Sequence, residues 1–221
     1  MRNKMTKAVI FDLDGLLVDT EVTWHKVFQD VVGAYGHEMS LQEYVENYSG
    51  KTIVDNVKRM IQSYNLPITY DEGVEKMISG EKHYLEQGVA LKAGAKELFS
   101  FLKKYGYKIA LGSSSTKERA VSILSFHQVE TYFDEMVSGY EVEHGKPFPD
   151  IFLEAAKRVG VLPNECLVLE DSEAGILAAY SGGIPVICVP DLKKPRKEYV
   201  DMTAAEVPSL FEVIHYLERE Q

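Results

Sequence analysis

Two aspartates that follow a short apolar run are the residues of this sequence best suited to chemistry. Asp12 directly follows the run KAVIF (7–11), and Asp14 and Gly15 come two and three positions after it. An extended chain places residues i and i+2 on one side, so both carboxylates would face the same way. A carboxylate after a buried strand is costly unless something nearby needs its charge. The pair therefore suggests a bound cation, acid–base chemistry, or both.

Polar side chains also follow three further strand-like runs. Ligands of open parallel sheets bind outside the carboxyl ends of the strands, so we expect these residues to meet Asp12 and Asp14 at one edge. They are Ser113, Ser114 and Ser115 after YKIALG (107–112), Lys146 after the weaker run 133–139, and Glu170 with Asp171 at the end of CLVLE (166–170). A single aspartate after a strand is more often a helix cap, so the combination of loops carries the prediction.

The charge at this edge predicts a metal ion and a phosphate. Two like charges about 4 Å apart repel by roughly 4 kcal/mol at an effective dielectric near 20, and Lys146 offsets only one carboxylate. A hard divalent cation would offset the rest, and Mg²⁺ suits carboxylates, a backbone carbonyl and waters beside a phosphate. Hydroxyls and backbone N–H groups of a serine turn at a helix start bind anions well. This combination describes a phosphoryl-transfer site.

The elements that must hold these residues alternate between strand and helix. A fifth apolar run lies at 185–189, and helical patterns occupy 94–106, 116–127, 149–160 and 172–183. This alternation predicts a parallel sheet covered by helices on both faces. We expect Ser115 and Glu118 to form a capping box, Asp150 to cap the helix from Ile151, and residues 191–201 to be a solvated loop.

One region interrupts the alternation. Residues 21–90 show helical patterns separated by glycine or proline, and no convincing strand. We therefore expect an α/β fold in which residues 1–20 and 91–221 form a Rossmann-like parallel-sheet core. Residues 21–90 would form an inserted, all-helical cap domain.

Composition excludes several classes of protein. The 221 residues carry a net charge of −10, which argues against nucleic acid or an anionic membrane as a partner. No apolar run approaches the roughly 18 residues of a membrane span, and the N-terminus does not resemble a signal peptide. Cys166 and Cys188 lie in apolar runs and are expected to be buried free thiols. We expect a cytoplasmic monomer.

Four motifs in this order and spacing resemble those of the haloacid dehalogenase-like (HAD) phosphohydrolases. They are DLDG (12–15), GSSS (112–115), GKPFPD (145–150) and LEDS (169–172), and the helical insert resembles the cap of the β-phosphoglucomutase-like subfamily. The resemblance implies that Asp12 is a nucleophile that forms an aspartyl-phosphate, and that Asp14 is the general acid and then the base.

The same resemblance implies how phosphate and metal are held. Ser113 and the backbone around Ser114 would bind phosphoryl oxygens, and Lys146 would bridge Asp12 and the phosphate. Asp171 would bind Mg²⁺ with Asp12 and the backbone carbonyl of Asp14. Glu170 would act mainly through a metal-bound water.

Three functions remain open at this point. The leading one is a phosphatase acting on a small phosphorylated metabolite, such as a sugar phosphate. The alternatives are a β-phosphoglucomutase-type sugar phosphomutase and a non-catalytic binding protein. Mutases resembling this chain carry a cap arginine and a histidine at positions that fall here on Ile53 and Trp24, although His25 is adjacent. In the cap, Lys51 and Trp24 are candidates for substrate contact, with solvation and packing as their alternative roles.

Overall fold

The computed structural model describes residues 6–219 and divides the chain into two compact units. Residues 6–18 and 91–219 make up the first unit, and residues 19–90 make up the second.

A parallel sheet forms the centre of the first unit. Its strands are β1 Ala8–Phe11, β2 Lys108–Ser113, β3 Glu135–Ser138, β4 Cys166–Glu170, β5 Val186–Cys188 and β6 Ala205–Glu206. The spatial order is β3-β2-β1-β4-β5-β6, and every neighbouring pair runs parallel. Continuous apolar runs form β1, β2, β4 and β5 because helices cover both faces of such a sheet. The α/β fold expected from the sequence is confirmed.

Ten α-helices lie along the described part of the chain. They are α1 Thr20–Gly33, α2 Leu41–Asn47, α3 Ile53–Ser63, α4 Tyr70–Gln87, α5 Ala95–Lys104, α6 Lys117–Phe126, α7 Asp150–Arg158, α8 Glu173–Ser181, α9 Lys197–Val200 and α10 Leu210–Glu218. Helices α9 and α10 were not predicted from the sequence. Ile10 of β1 packs in one core cluster with Phe152 of α7 and Ile176 of α8. Phe11 points the other way, with its ring centroid 5.2 Å from that of Phe99 in α5. The buried β1 therefore connects both layers of helices.

Three local expectations were wrong. Helix α6 is capped by Thr116, which accepts a hydrogen bond from Arg119 N, so Ser115 is not the cap. Helix α7 begins at Asp150 itself, with Pro149 at the N-cap position. The stretch 191–201 is not simply a solvated loop, because it contains α9 and begins with an aspartate whose side chain is buried.

The second unit consists of α1–α4 around its own apolar core. Phe28, Tyr48, Met60 and Met77 are among its fully buried side chains. Serine or threonine caps the starts of α2, α3 and α4, as expected where backbone N–H groups lack helical partners. Residues 19–90, all of them described, contain no strand.

The structure also tests what the sequence predicts for the cysteines and for membrane-spanning helices. Both cysteines are buried and free. Among the described residues, every helix is too short or too polar to cross a lipid bilayer.

Candidate active site

Sheet order brings the predicted polar residues together at the carboxyl edge. Strand β1 lies between β2 and β4, and Phe11 pairs in register with Leu111 and Leu169. The residues that leave these three strands therefore emerge side by side. They are Asp12 after β1, Ser113 at the end of β2, and Glu170 at the end of β4.

Lys146 links two of the three strand ends. Its Nζ donates to Asp12 Oδ1 at 2.5 Å and to Glu170 Oε1 at 2.7 Å. The side chains of Lys146, Asp12 and Glu170 are only 6%, 10% and 1% exposed. The ammonium also lies 4.7 Å from the centroid of the Phe152 ring, which favours a cation. Burial would lower the pKa of Lys146, but the two carboxylates outweigh burial and raise it, so the lysine stays charged.

The aspartates carry more negative charge than this lysine neutralises. Burial raises the pKa of Asp12 to about 7, Lys146 opposes the rise, and Glu170 and Asp14 add to it. The pKa of Asp171 is also raised well above its ordinary value. Burial is the largest cause, and the negative charges of Glu170 and Asp12 add to it. Both shifts indicate buried carboxylates that lack enough positive charge nearby.

Three carboxylates at this edge lie close enough together to hold a divalent cation. Oxygens of Asp12, Glu170 and Asp171 all lie within 4.8 Å of one another. Oxygen-rich clusters of this kind suit hard cations such as Mg²⁺, Ca²⁺ and Mn²⁺. The raised pKa values of Asp12 and Asp171 agree with such a site, because a positive ion would stabilise the ionised forms. The side chain of Asp14 is not part of this cluster, so its predicted contribution depends on its backbone carbonyl.

Two glycines make room for the carboxylates. A Cβ on Gly175 would lie 1.7 Å from Glu170 Oε1, so helix α8 can approach this side chain only through a glycine. Gly15 has a φ of +86°, and a Cβ there would lie 2.4 Å from Asp171 Oδ2. The glycine of the first motif therefore permits both the turn and the close approach of a carboxylate.

Glu170 also organises the loop that carries Asp171. Its Oε2 accepts hydrogen bonds from Asp171 N, Ser172 N and Ser172 Oγ, each at 2.9 Å. Its Oε1 accepts from Lys146. With both oxygens occupied in this way, Glu170 holds the position of the loop and of the lysine.

Asp14 pairs with an arginine that the sequence analysis did not single out. Arg119 donates from Nη2 to Asp14 Oδ1 and from Nη1 to Asp14 Oδ2, both at 2.9 Å. Ser115 Oγ donates to Asp14 Oδ2 at 2.9 Å. Arg119 lies in the first turn of α6, where a cation is unfavourable for the helix dipole. An arginine in the first turn of a predicted helix is therefore the feature of the sequence that could have indicated a role for Arg119.

The serine turn is built from backbone contacts as well as hydroxyls. Ser113 is buried and its Oγ accepts a hydrogen bond from Ser115 N at 3.1 Å, whereas Ser114 is exposed. Ser138 Oγ, at the end of β3, donates to Ser115 O at 2.7 Å. The turn is therefore fixed from two strands, directly before the start of α6.

A further carboxylate near this edge was also missed. Asp191 follows β5, and its Oδ1 accepts from Lys92 Nζ at 2.5 Å. A Cβ built on Gly15 would lie 3.2 Å from Asp191 Oδ2 and also close to Asp171 Oδ2. The Asp191 carboxylate is therefore near that of Asp171. The sequence did not reveal that the side chain of Asp191 is buried, because the basic residues after it are typical of a solvated loop.

Within the helical unit, the two candidate residues line one cavity. Trp24 and Lys51 border a cavity of about 160 Å³, together with Glu21, Tyr44 and Asn56 among others. Lys51 Nζ donates to Asn47 O at 2.5 Å. His25 does not border it, since its Nε2 donates to Met39 O in the core of the unit.

Comparison with known proteins identifies the family. The haloacid dehalogenase-like hydrolase family matches this chain over residues 9–189, which includes all four motifs. The chain belongs to the haloacid dehalogenase-like hydrolases. The recognition made from the motifs is confirmed.

Relatives within this HAD family include named phosphatases. The bifunctional riboflavin kinase/FMN phosphatase of Arabidopsis thaliana is 34% identical over 205 residues, which are 92% of this chain and 53% of that protein. The chain thus spans about half the length of that relative. The phosphorylated carbohydrates phosphatase of Thermotoga maritima is 30% identical over 178 residues, 80% of this chain and 82% of that protein.

Solved structures of HAD proteins share the whole fold. A HAD-family hydrolase from Deinococcus radiodurans, crystallised with bound phosphate and sodium, superposes with a TM-score of 0.85 at 25% identity. The match covers 97% of this chain and 96% of that one.

Proposed function

We propose that this chain is a Mg²⁺-dependent phosphatase that hydrolyses a small phosphorylated metabolite, such as a sugar phosphate, through an aspartyl-phosphate on Asp12. The observation that carries the proposal is the buried contact of Asp12 with Lys146, beside the carboxylates of Glu170 and Asp171. The phosphatase relatives support the reaction class.

In this mechanism the two aspartates of the first motif divide the chemistry. A carboxylate oxygen of Asp12 attacks phosphorus and the bond from phosphorus to the leaving oxygen breaks. Asp14, protonated once it has left its pair with Arg119, gives its proton to that oxygen and then takes one from the water that attacks the aspartyl-phosphate. The second displacement releases inorganic phosphate and restores the Asp12 carboxylate.

Three groups hold the phosphoryl oxygens during both steps. Lys146 supplies a fixed positive charge, Ser113 supplies a hydroxyl, and the backbone around Ser114 supplies N–H groups. Asp12, Asp171 and the backbone carbonyl of Asp14 are the groups that would hold Mg²⁺, with Glu170 behind them. When bound, the cation neutralises charge on the carboxylates and on the phosphoryl group.

The mutase alternative receives less support from the helical unit. A phosphomutase must hold a second, distal phosphate with cationic groups. The cavity that Trp24 and Ile53 border contains one lysine, Lys51, and also the carboxylate of Glu21, which accepts from Tyr44. Lys51 is therefore proposed as a contact for the leaving group of a phosphatase substrate, and the second unit as the part that discriminates among substrates.

A phosphate-release screen tests the proposal. Purified protein should release phosphate from at least one member of a panel containing hexose 1-phosphates, hexose 6-phosphates and FMN, only when Mg²⁺ is present. Interconversion of hexose 1- and 6-phosphates, stimulated by catalytic hexose bisphosphate, would favour the mutase instead. No turnover of any ester, including p-nitrophenyl phosphate, would favour the binding protein. Monomeric state, cytoplasmic location and the lack of nucleic-acid or membrane partners stay predictions of the sequence.

A further inference from the structure

Asp191 has one buried carboxylate oxygen with no partner in the part of the chain that the structure describes. The side chain is 4% exposed and its Oδ1 accepts from Lys92 Nζ, yet Oδ2 makes no hydrogen bond. Leaving a charged oxygen buried and unsatisfied is costly, so a group absent from the described residues is expected to satisfy it.

The free oxygen is directed toward the acidic cluster. A single point, the Cβ position of Gly15, lies 3.2 Å from Asp191 Oδ2 and 2.4 Å from Asp171 Oδ2. The two oxygens are therefore neighbours. Without a positive group between them, two carboxylate oxygens at such a separation would repel.

Distance indicates that Asp191 would contact a cation through water. The set of oxygens within 4.8 Å of one another comprises Asp12, Glu170 and Asp171, and Asp191 is outside it. Asp191 lies outside this set but next to Asp171. Its carboxylate could therefore reach a water molecule bound to a cation at the cluster. Mg²⁺ usually keeps several of its waters when proteins bind it.

We propose that Asp191 is a positioning residue for the divalent cation, accepting a hydrogen bond from one of the cation's waters through Oδ2. Lys92 sets the orientation of this carboxylate by holding Oδ1. The inference rests on the proposed metal site and adds a specific outer contact to it. Outer partners of metal ligands typically change metal affinity by about 10- to 100-fold.

Metal titration by calorimetry, in the absence of substrate, tests the inference. Asp191→Asn keeps the size of the side chain and removes its charge, and we expect the Kd for Mg²⁺ and Mn²⁺ to rise at least about tenfold. Asp201→Asn and Lys197→Met are the matched controls, because Asp201 and Lys197 form an ion pair in the same segment. Both controls should leave the Kd unchanged.

Lys92→Met separates positioning from simple charge. Loss of a nearby positive charge alone would tighten cation binding. Loss of the group that orients Asp191 would weaken it, and we expect a several-fold rise in Kd. Weaker binding in Asp191→Asn combined with tighter binding in Lys92→Met would overturn the positioning role.

Thermal melting, first in EDTA and then with Mg²⁺, provides a second measurement that does not depend on enzyme activity. Asp191→Asn removes a buried carboxylate with one unsatisfied oxygen but also breaks its ion pair with Lys92, so its melting temperature in EDTA should stay close to that of the wild type. Its rise in melting temperature on adding Mg²⁺ should be smaller. An unchanged Kd in Asp191→Asn would refute the inference alone, whereas a wild type that binds no divalent cation would refute the proposed metal site. If Asp191→Asn failed to fold, Lys92→Met would still decide the question by the sign of its effect.

Discussion

Replacing Lys146 with methionine tests the electrostatic account of the site most severely. The substitution keeps the length of the side chain but removes an ammonium that contacts Asp12 at 2.5 Å and Glu170 at 2.7 Å. Both carboxylates would then remain buried without their cation. Breaking a buried ion pair in this way typically costs about 3–5 kcal/mol of unfolding free energy. Lys108→Met is the control, because Lys108 pairs with Asp134 at the surface and such pairs contribute about 0–1 kcal/mol.

The pH dependence of this loss has a definite sign. The pKa of Asp12 is about 7 in the folded chain and about 3.9 when unfolded. A carboxylate with a raised folded pKa destabilises the fold when it ionises, and the cost grows from about pH 4 until it is complete above about pH 7. Removing Lys146 removes a charge that lowers this pKa. The deficit of Lys146→Met should therefore be larger at pH 8 than at pH 6.

Urea unfolding in EDTA measures the effect. Far-UV circular dichroism follows the helices of both units, while fluorescence of Trp24, the single tryptophan, follows the helical unit. We expect the loss in the transition of the α/β unit, and Trp24 shows whether the helical unit unfolds separately. If Lys146→Met were as stable as Lys108→Met at pH 8, the inferred role of the lysine in neutralising buried carboxylates would be wrong.

The remaining predictions concern activity and metal. Asp12→Asn should lower kcat by roughly 10⁴-fold or more while circular dichroism shows an intact fold; substantial turnover would exclude Asp12 as nucleophile. EDTA should abolish phosphate release, Mg²⁺ should restore it, and Ca²⁺ should inhibit because its larger, looser coordination misplaces the phosphoryl group; full activity in chelator would contradict this. Calorimetric affinity for Mg²⁺ should weaken as pH falls below about 7, because the cation must displace a proton from Asp12; a pH-independent Kd would contradict it. Lys51→Ala should raise KM for the true substrate by an amount equivalent to about 1–3 kcal/mol and spare p-nitrophenyl phosphate, whereas Lys58→Ala in α3 should change neither; equal effects on both substrates would remove Lys51 from the leaving-group site.

The site residues next to strand ends could be predicted, because the ends of adjacent parallel strands lie at the same edge of the sheet. Apolar runs mark β1, β2 and β4, and residues that leave adjacent parallel strands must emerge together. Asp12, Ser113 and Glu170 could therefore be placed before any coordinates. Strand β6 has only two residues and offers no pattern to detect.

Contacts between distant segments explain what the sequence did not reveal. Arg119 meets Asp14 across 105 positions, and Asp191 meets Lys92 across 99. Periodicity and local charge describe the neighbours of a residue along the chain, so they cannot show which distant carboxylate a cation will reach. The wrong cap assignment has a more local cause, since Ser115 and Thr116 are adjacent and both can cap a helix. The hydroxyl of Ser115 was free to contact Asp14 because Thr116 had the capping role.

Trapping the covalent intermediate tests the central claim most directly. A rapidly turned-over ester from the phosphate-release screen, labelled with ³²P, would be mixed with the Mg²⁺-loaded protein, quenched in acid within milliseconds, and the digested peptides mapped. We expect acid-stable label on the peptide that contains Asp12, its disappearance on the timescale of phosphate release, and its absence from Asp12→Asn. Phosphate release at full rate with no label on that peptide at any time would contradict an aspartyl-phosphate mechanism.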